Sequence, residues 1–171
     1  MAPAILKLAD AYLESLPPEQ RPKDRQRIRD SFVTFFFRGF TSFSAGSMYC
    51  GVDDAELQGF KTGQVYHRGN PDKIKETFES FGYVATEAEG AWTIRFEHSG
   101  FEPRGRNSNR EKWWFWIMTD TDSELREALQ FCGQGKTIRV TGFLSPKGRY
   151  GHLDSYDHEF YATRISKADG G

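Results

Sequence analysis

A chain of 171 residues with 37% hydrophobic and 27% charged side chains can fold into one ordinary domain, or a small domain with a helical extension, and is too apolar to be disordered. A formal net charge of -1 excludes a surface that tracks nucleic acid over its whole extent, while leaving room for a local basic patch. No apolar run reaches the roughly 18 residues of a spanning helix, so no membrane span is expected.

The opening Met1-Ala2-Pro3-Ala4 shows neither the basic start nor the apolar run of a signal peptide, as a mature exported chain behind an added Met also would not. Ile5, Leu6, Leu8, Ala9, Tyr12, Leu13 and Leu16 then recur at helical spacing, and Pro17-Pro18 ends that helix. A second helix is expected from Lys23-Asp24 through Ile28, Phe32, Val33, Phe36 and Phe37. Its polar front and apolar back require burial of its C-terminal end. Asp53 or Asp54 is a suitable N-cap for a third helix through Leu57, Phe60 and Val65, where Gly59 and Gly63 lie on one face and predict close packing against a neighbour. Asn70-Pro71 reads as an N-cap with Pro at the first helical position, and Gly82 as the end of a fourth helix carrying Ile74, Phe78 and Phe81.

From Tyr83 the hydrophobic period changes to two. Residues 83–87 and 91–97 read as strands flanking a hairpin-like turn at Ala88-Glu89-Gly90, with Trp92, Ile94 and Phe96 facing one way. Residues 99–112 read as a loop rich in Gly, Asn and Arg. Residues 113–119 read as a central strand, apolar on both faces. Thr121-Asp122-Ser123-Glu124 is a capping box opening a helix over 122–131. Two strands follow, 136–144 with Ile138 and Val140 inward, and 159–165. Residues 167–171 form a frayed tail. A helix between the third and fourth of five strands is the order of an OB-like barrel. The expected class is therefore α+β: a helical segment over 1–82 packed on a five-stranded OB-like β-barrel over 83–166.

One pattern runs through the second half. Phe96, Glu97, Ser99, Phe101 and Pro103 are followed by Trp113 and Trp114, then by Gly142, Leu144-Ser145-Pro146, Gly148, Tyr150-Gly151-His152-Leu153, Tyr156 and Glu159. It resembles a pattern found in uncharacterised bacterial exported proteins and lipoproteins with an OB-like domain. The resemblance implies an exported module and supplies no catalytic residues. A Cys often follows the Pro in that pattern; here the place is held by Arg104.

Cys50 and Cys132 fit either one disulfide in an oxidising compartment or two buried thiols. An exported chain would bridge them. His152, Asp154, Asp157, His158 and Glu159 are ligand types for a transition metal, but the H-x5-H spacing matches no strong motif. The structural reading is a loop in which Gly148 and Gly151 make tight turns, Tyr150 and Tyr156 cross the barrel mouth, and His152 bonds a backbone carbonyl. Arg104, Arg106, Arg110 and Lys112 beside Trp113, Trp114 and Trp116 combine phosphate pairing with base stacking, which single-stranded nucleic acid needs, but Glu97, Glu102 and Glu111 dilute that patch. There is no G-x-S-x-G elbow and no phosphate-binding Gly loop.

These readings converge on a non-enzymatic periplasmic or envelope binding module without a cofactor, which recognises a protein or an envelope component. Its candidate binding residues are Arg104, Arg106, Arg149, Tyr150, His152 and Tyr156. Single-stranded nucleic-acid binding and a metal-dependent hydrolase built on the His-rich loop are the alternatives.

Overall fold

A computed structural model describes residues 3–41, 53–95, 98–105, 111–118, 130 and 137–168. The chain divides into two compact units, 1–81 and 82–171.

The first unit is helical: α1 (Pro3–Ser15), α2 (Arg25–Thr41), α3 (Asp54–Gly69) and α4 (Ile74–Ser80), the last preceded by a 3₁₀ turn at Pro71–Lys73. Helix α1 buries Ile5, Ala9 and Leu13, a stripe spaced four residues apart. Its last turn is closed by Arg21, whose guanidinium donates to the carbonyls of Leu16 at 3.1 Å and Glu14 at 3.1 Å. Asp24 caps α2, accepting the Arg27 amide at 3.0 Å. A two-pronged pair between Arg29 and Asp10 joins α1 to α2. Asp53 and Glu56 form a reciprocal capping box on α3.

The close packing expected at Gly59 and Gly63 is present, and α2 contributes a third glycine to it. A Cβ on Gly39 would lie 1.9 Å from the Phe60 carbonyl oxygen, one on Gly59 2.3 Å from that of Phe32, and one on Gly63 2.0 Å from that of Phe36. Backbone therefore meets backbone along this seam, and Phe32, Phe36, Phe40 and Phe60 fill the space beside it. The Asn70 cap is not formed. Its amide instead donates back to the Tyr66 carbonyl at 2.9 Å, satisfying the end of α3.

The second unit is a closed five-stranded barrel in the order β1-β2-β3-β5-β4. The strands are β1 (Val84–Arg95), β2 (His98–Pro103), β3 (Trp113–Ile117), β4 (Ile138–Leu144) and β5 (His158–Lys167). Helices followed by a five-stranded barrel is the expected class, reached through two corrections. Ala88-Glu89-Gly90 is not a turn: β1 runs through it unbroken. Gly90 is the residue where β1 passes from pairing with β4 to pairing with β2. A Cβ there would lie 2.3 Å from the Glu102 carbonyl oxygen, so glycine marks a close approach of strands and not a reversal. Residues 99–103, read as loop, belong with His98 to β2, because this stretch pairs with the second half of β1. At the C-terminus β5 extends through Lys167, and the Ala168 amide still donates to the Thr137 carbonyl at 3.3 Å. The helix expected over 122–131 lies, apart from Gln130, outside the described residues, as do Cys50 and Cys132.

The barrel interior is aromatic. Trp92, Phe101, Trp113, Phe115 and Phe160 are buried with Ile138, Val140 and Ala162. Phe160 stacks on Phe115 at 5.7 Å and on Trp113 at 5.4 Å. The polar edge of Trp92 is satisfied through a relay: its Nε1 donates to Ser99 Oγ at 3.3 Å, which donates to the Phe115 carbonyl at 2.7 Å. Ile94, read as facing the same way as Trp92, is exposed where Trp92 is buried.

Phe115→Ala is expected to lower stability by about 3–5 kcal/mol, since the ring is fully buried among other rings. Gly63→Ala is expected to cost about 1–3 kcal/mol, because backbone must yield to admit one methyl. Urea unfolding measures both; a Gly63→Ala midpoint equal to that of the wild type would contradict the seam.

Candidate binding face

Strands β3 and β5 run parallel, pairing Trp113 with His158, Trp114 with Glu159, Phe115 with Phe160 and Trp116 with Tyr161. Side chains alternate across a strand, so Trp113 and Phe115 enter the core while Trp114 and Trp116 face outward over Glu159 and Tyr161. The outer rings form a contiguous strip. Trp116 stacks on Tyr161 at 6.3 Å and 14°, and Trp114 meets Trp116 edge-on at 5.7 Å and Tyr156 at 4.9 Å.

Glu159 organises this strip. Its carboxylate accepts from Trp116 Nε1 at 3.3 Å, from the Tyr161 hydroxyl at 3.3 Å and, in a short bond, from the Tyr83 hydroxyl. Burial, reinforced by the Glu159 charge, pushes the Tyr83 phenol far above its ordinary range. Trp116 remains 44% exposed, a large ring held in one orientation at the surface.

The loop over 145–157 borders the strip and is pinned by its own hydrogen bonds. Ser145 and Glu159 exchange two: the Ser145 amide donates to the Glu159 carbonyl at 3.0 Å, and the Glu159 amide donates to Ser145 Oγ at 2.9 Å. Tyr150 and Tyr156 form an antiparallel bridge with amide–carbonyl distances of 3.0 and 3.3 Å. The Tyr150 hydroxyl donates to the Pro146 carbonyl at 3.0 Å. Gly151 has φ 69° and would, with a Cβ, place it 2.3 Å from the Trp114 ring. The turn therefore lies directly against the outer tryptophan.

At the entry to β3, Lys147 lies 3.5 Å from Glu111 and 3.8 Å from Asp157, and Asp157 accepts the Lys112 amide at 3.3 Å. His158 is buried. Its Nδ1 donates to the Ser145 carbonyl at 2.8 Å, and its Nε2 is 3.7 Å from Glu111. Ser145 Oγ donates to the Pro146 carbonyl at 2.9 Å, so Ser145, His158 and Glu111 fasten a loop and are not arranged as a nucleophile with its base.

Of the candidate residues, Arg149, Tyr150, His152 and Tyr156 share this loop. Tyr156 is buried against Trp114, so its ring supports the strip instead of lying open across the barrel mouth. His158, on the strand that follows the loop, bonds a backbone carbonyl through its ring. Arg104 is exposed just beyond β2, its amide bonded to the Glu89 carbonyl at 2.6 Å, and Arg106 lies outside the described residues. Among the described residues no three His, Cys, Asp or Glu side chains gather as metal ligands. Their helices include none long and apolar enough to cross a membrane. The sequence offers Trp114 and Trp116 only as stacking rings for single-stranded nucleic acid and Glu159 only as a metal-ligand type, and it singles out nothing at Tyr161. The signal for the outer rings is parity: in Trp113-Trp114-Phe115-Trp116 every second ring must face out of the barrel. Comparison with protein-family models, curated protein sequences and solved structures returns no significant match.

The Tyr83 phenol sets an alkaline limit. Its folded pKa lies above the unfolded value of 10.0, so its contribution is complete below that pH and is lost as pH rises beyond it. Urea midpoints at about pH 8 and about pH 11 should show a decline that Tyr83→Phe reduces, and an equal decline in both proteins would contradict this assignment.

Proposed function

We propose that the C-terminal unit is a non-catalytic, OB-like binding module acting in the periplasm or cell envelope. It recognises a protein or an envelope component through the β3–β5 face and the 145–157 loop. The strand order and the parallel β3–β5 pair support the OB-like assignment. The pattern from Phe96 to Glu159, similar to that of bacterial exported proteins, supports the compartment.

The observation that carries the reading is Trp116. An exposed indole costs solvation, and this one is held by a hydrogen bond to Glu159 and a stacked Tyr161. A ring fixed in advance loses little freedom on binding, and tryptophan is enriched among residues that dominate interfaces. The charge pattern supports a protein or neutral partner over a phosphate chain. A carboxylate sits within the aromatic strip, and Lys147 lies between Glu111 and Asp157.

Trp116→Ala should fold normally, with its melting temperature within a few degrees of the wild type, yet bind a purified partner captured from envelope extract with at least about tenfold lower affinity. Tight binding of oligo(dT) that weakens steeply with salt would overturn the reading in favour of single-stranded nucleic acid. The compartment has its own test. Thiol titration of denatured, unreduced protein from the periplasm should find Cys50 and Cys132 bridged, and two free thiols would contradict export.

A further inference from the structure

The 145–157 loop reverses at His152-Leu153-Asp154-Ser155, where the Ser155 amide donates to the His152 carbonyl at 3.3 Å. Both central residues are left-handed, Leu153 and Asp154 each with φ 54°. A reversal of this kind has the character of a type I′ turn, for which Asn-Gly is the least strained sequence. Leucine is a poor choice there, because its Cβ crowds the following carbonyl; the penalty is about fivefold to thirtyfold in the folding equilibrium. Burial among the described residues does not offset it, since Leu153 is 82% exposed. A bulky apolar residue that strains its own backbone and gains no internal packing points to a role outside folding.

We propose that Leu153 is the projecting anchor of the binding face and enters an apolar pocket on a protein partner, with a cationic rim opposite Asp154. The inference rests on the reading of the β3–β5 strip as a binding surface. The turn is braced by the Tyr150–Tyr156 bridge and by Gly151 against Trp114, so the leucine is presented at a fixed place beside that strip. Magnitude selects the occupant. Burying one leucine is worth about tenfold to a hundredfold in affinity. On a bilayer the leucine and the half-exposed Trp116 together stay below a single acyl chain, itself only marginal at about 10⁴ M⁻¹, and Asp154 is repelled by anionic lipid. In a protein pocket the same factor adds to the contact made by Trp116.

The test places photo-leucine at position 153 of the full chain and irradiates it in extract of the source organism, with unlabelled full-length competitors. The expected result is one discrete protein adduct, displaced by wild-type chain and by Leu153→Met but requiring at least about tenfold more Leu153→Asn. Thermal melting of Leu153→Asn should match or exceed that of wild type, because Asn relieves the strain; a lower melting temperature would assign the leucine to folding and overturn the proposal. Adducts with lipid, adducts only between copies of this chain, or no adduct would also overturn it. If Leu153→Asn competes like wild type while Trp116→Ala does not, the anchor fails and the binding strip stands.

Discussion

Parallel pairing of β3 with β5 closes the barrel and sorts four consecutive aromatic residues, 113–116, between its two sides. Inward, Trp113 and Phe115 stack with Phe160 and Phe101 and supply the core. Outward, Trp114 and Trp116 lie over Glu159 and Tyr161 and supply the strip. A one-residue slip of β3 would turn Trp113 and Phe115 outward, and a one-residue slip of β5 would expose Phe160 and bury the Glu159 carboxylate. Core packing and the outer aromatic strip are thus set by one register. It is fastened at both ends: the Asp157 amide donates to Lys112 at 3.0 Å, and the Met118 amide donates to Ala162 at 2.8 Å.

The loop before β5 inherits its position from that pair. Ser145 is tied to Glu159, Gly148 to Asp157 and Tyr150 to Tyr156, so the reversal at Leu153 is carried on a short braced hairpin. Loops that bind are usually mobile and lose freedom on association. Here much of the ordering is done during folding, and the strain at two left-handed residues is stored in the free protein.

Much of this was legible in the residues. The change of hydrophobic period at Gly82 marks the end of the helical unit, and the Gly59–Gly63 spacing predicts its close seam. The five-strand count came out right through compensating misreadings around Gly90. A glycine between apolar residues signals either a turn or a close approach of strands, and only the long-range pairing of residues 98–103 decides between them. The site was half legible. Tyr150, Tyr156 and Arg149 fall in the loop that borders the strip, but Glu159 is bonded to Tyr83, distant in sequence, and no local pattern reveals such a bond. Leu153 looked like part of a Tyr-Gly-His-Leu signature; its meaning comes from a positive φ that composition does not encode.

Native-state hydrogen exchange of the free protein tests the central claim most directly, because it reads preorganisation without a partner. If the β3–β5 pair carries the face, the Met118, Asp157, Tyr150 and Tyr156 amides should exchange only through global unfolding of the barrel. Their opening free energies should then match those of β1 and β4. Exchange of Tyr150 and Tyr156 orders of magnitude faster than the barrel amides would show a loop that is not held, and would contradict the account.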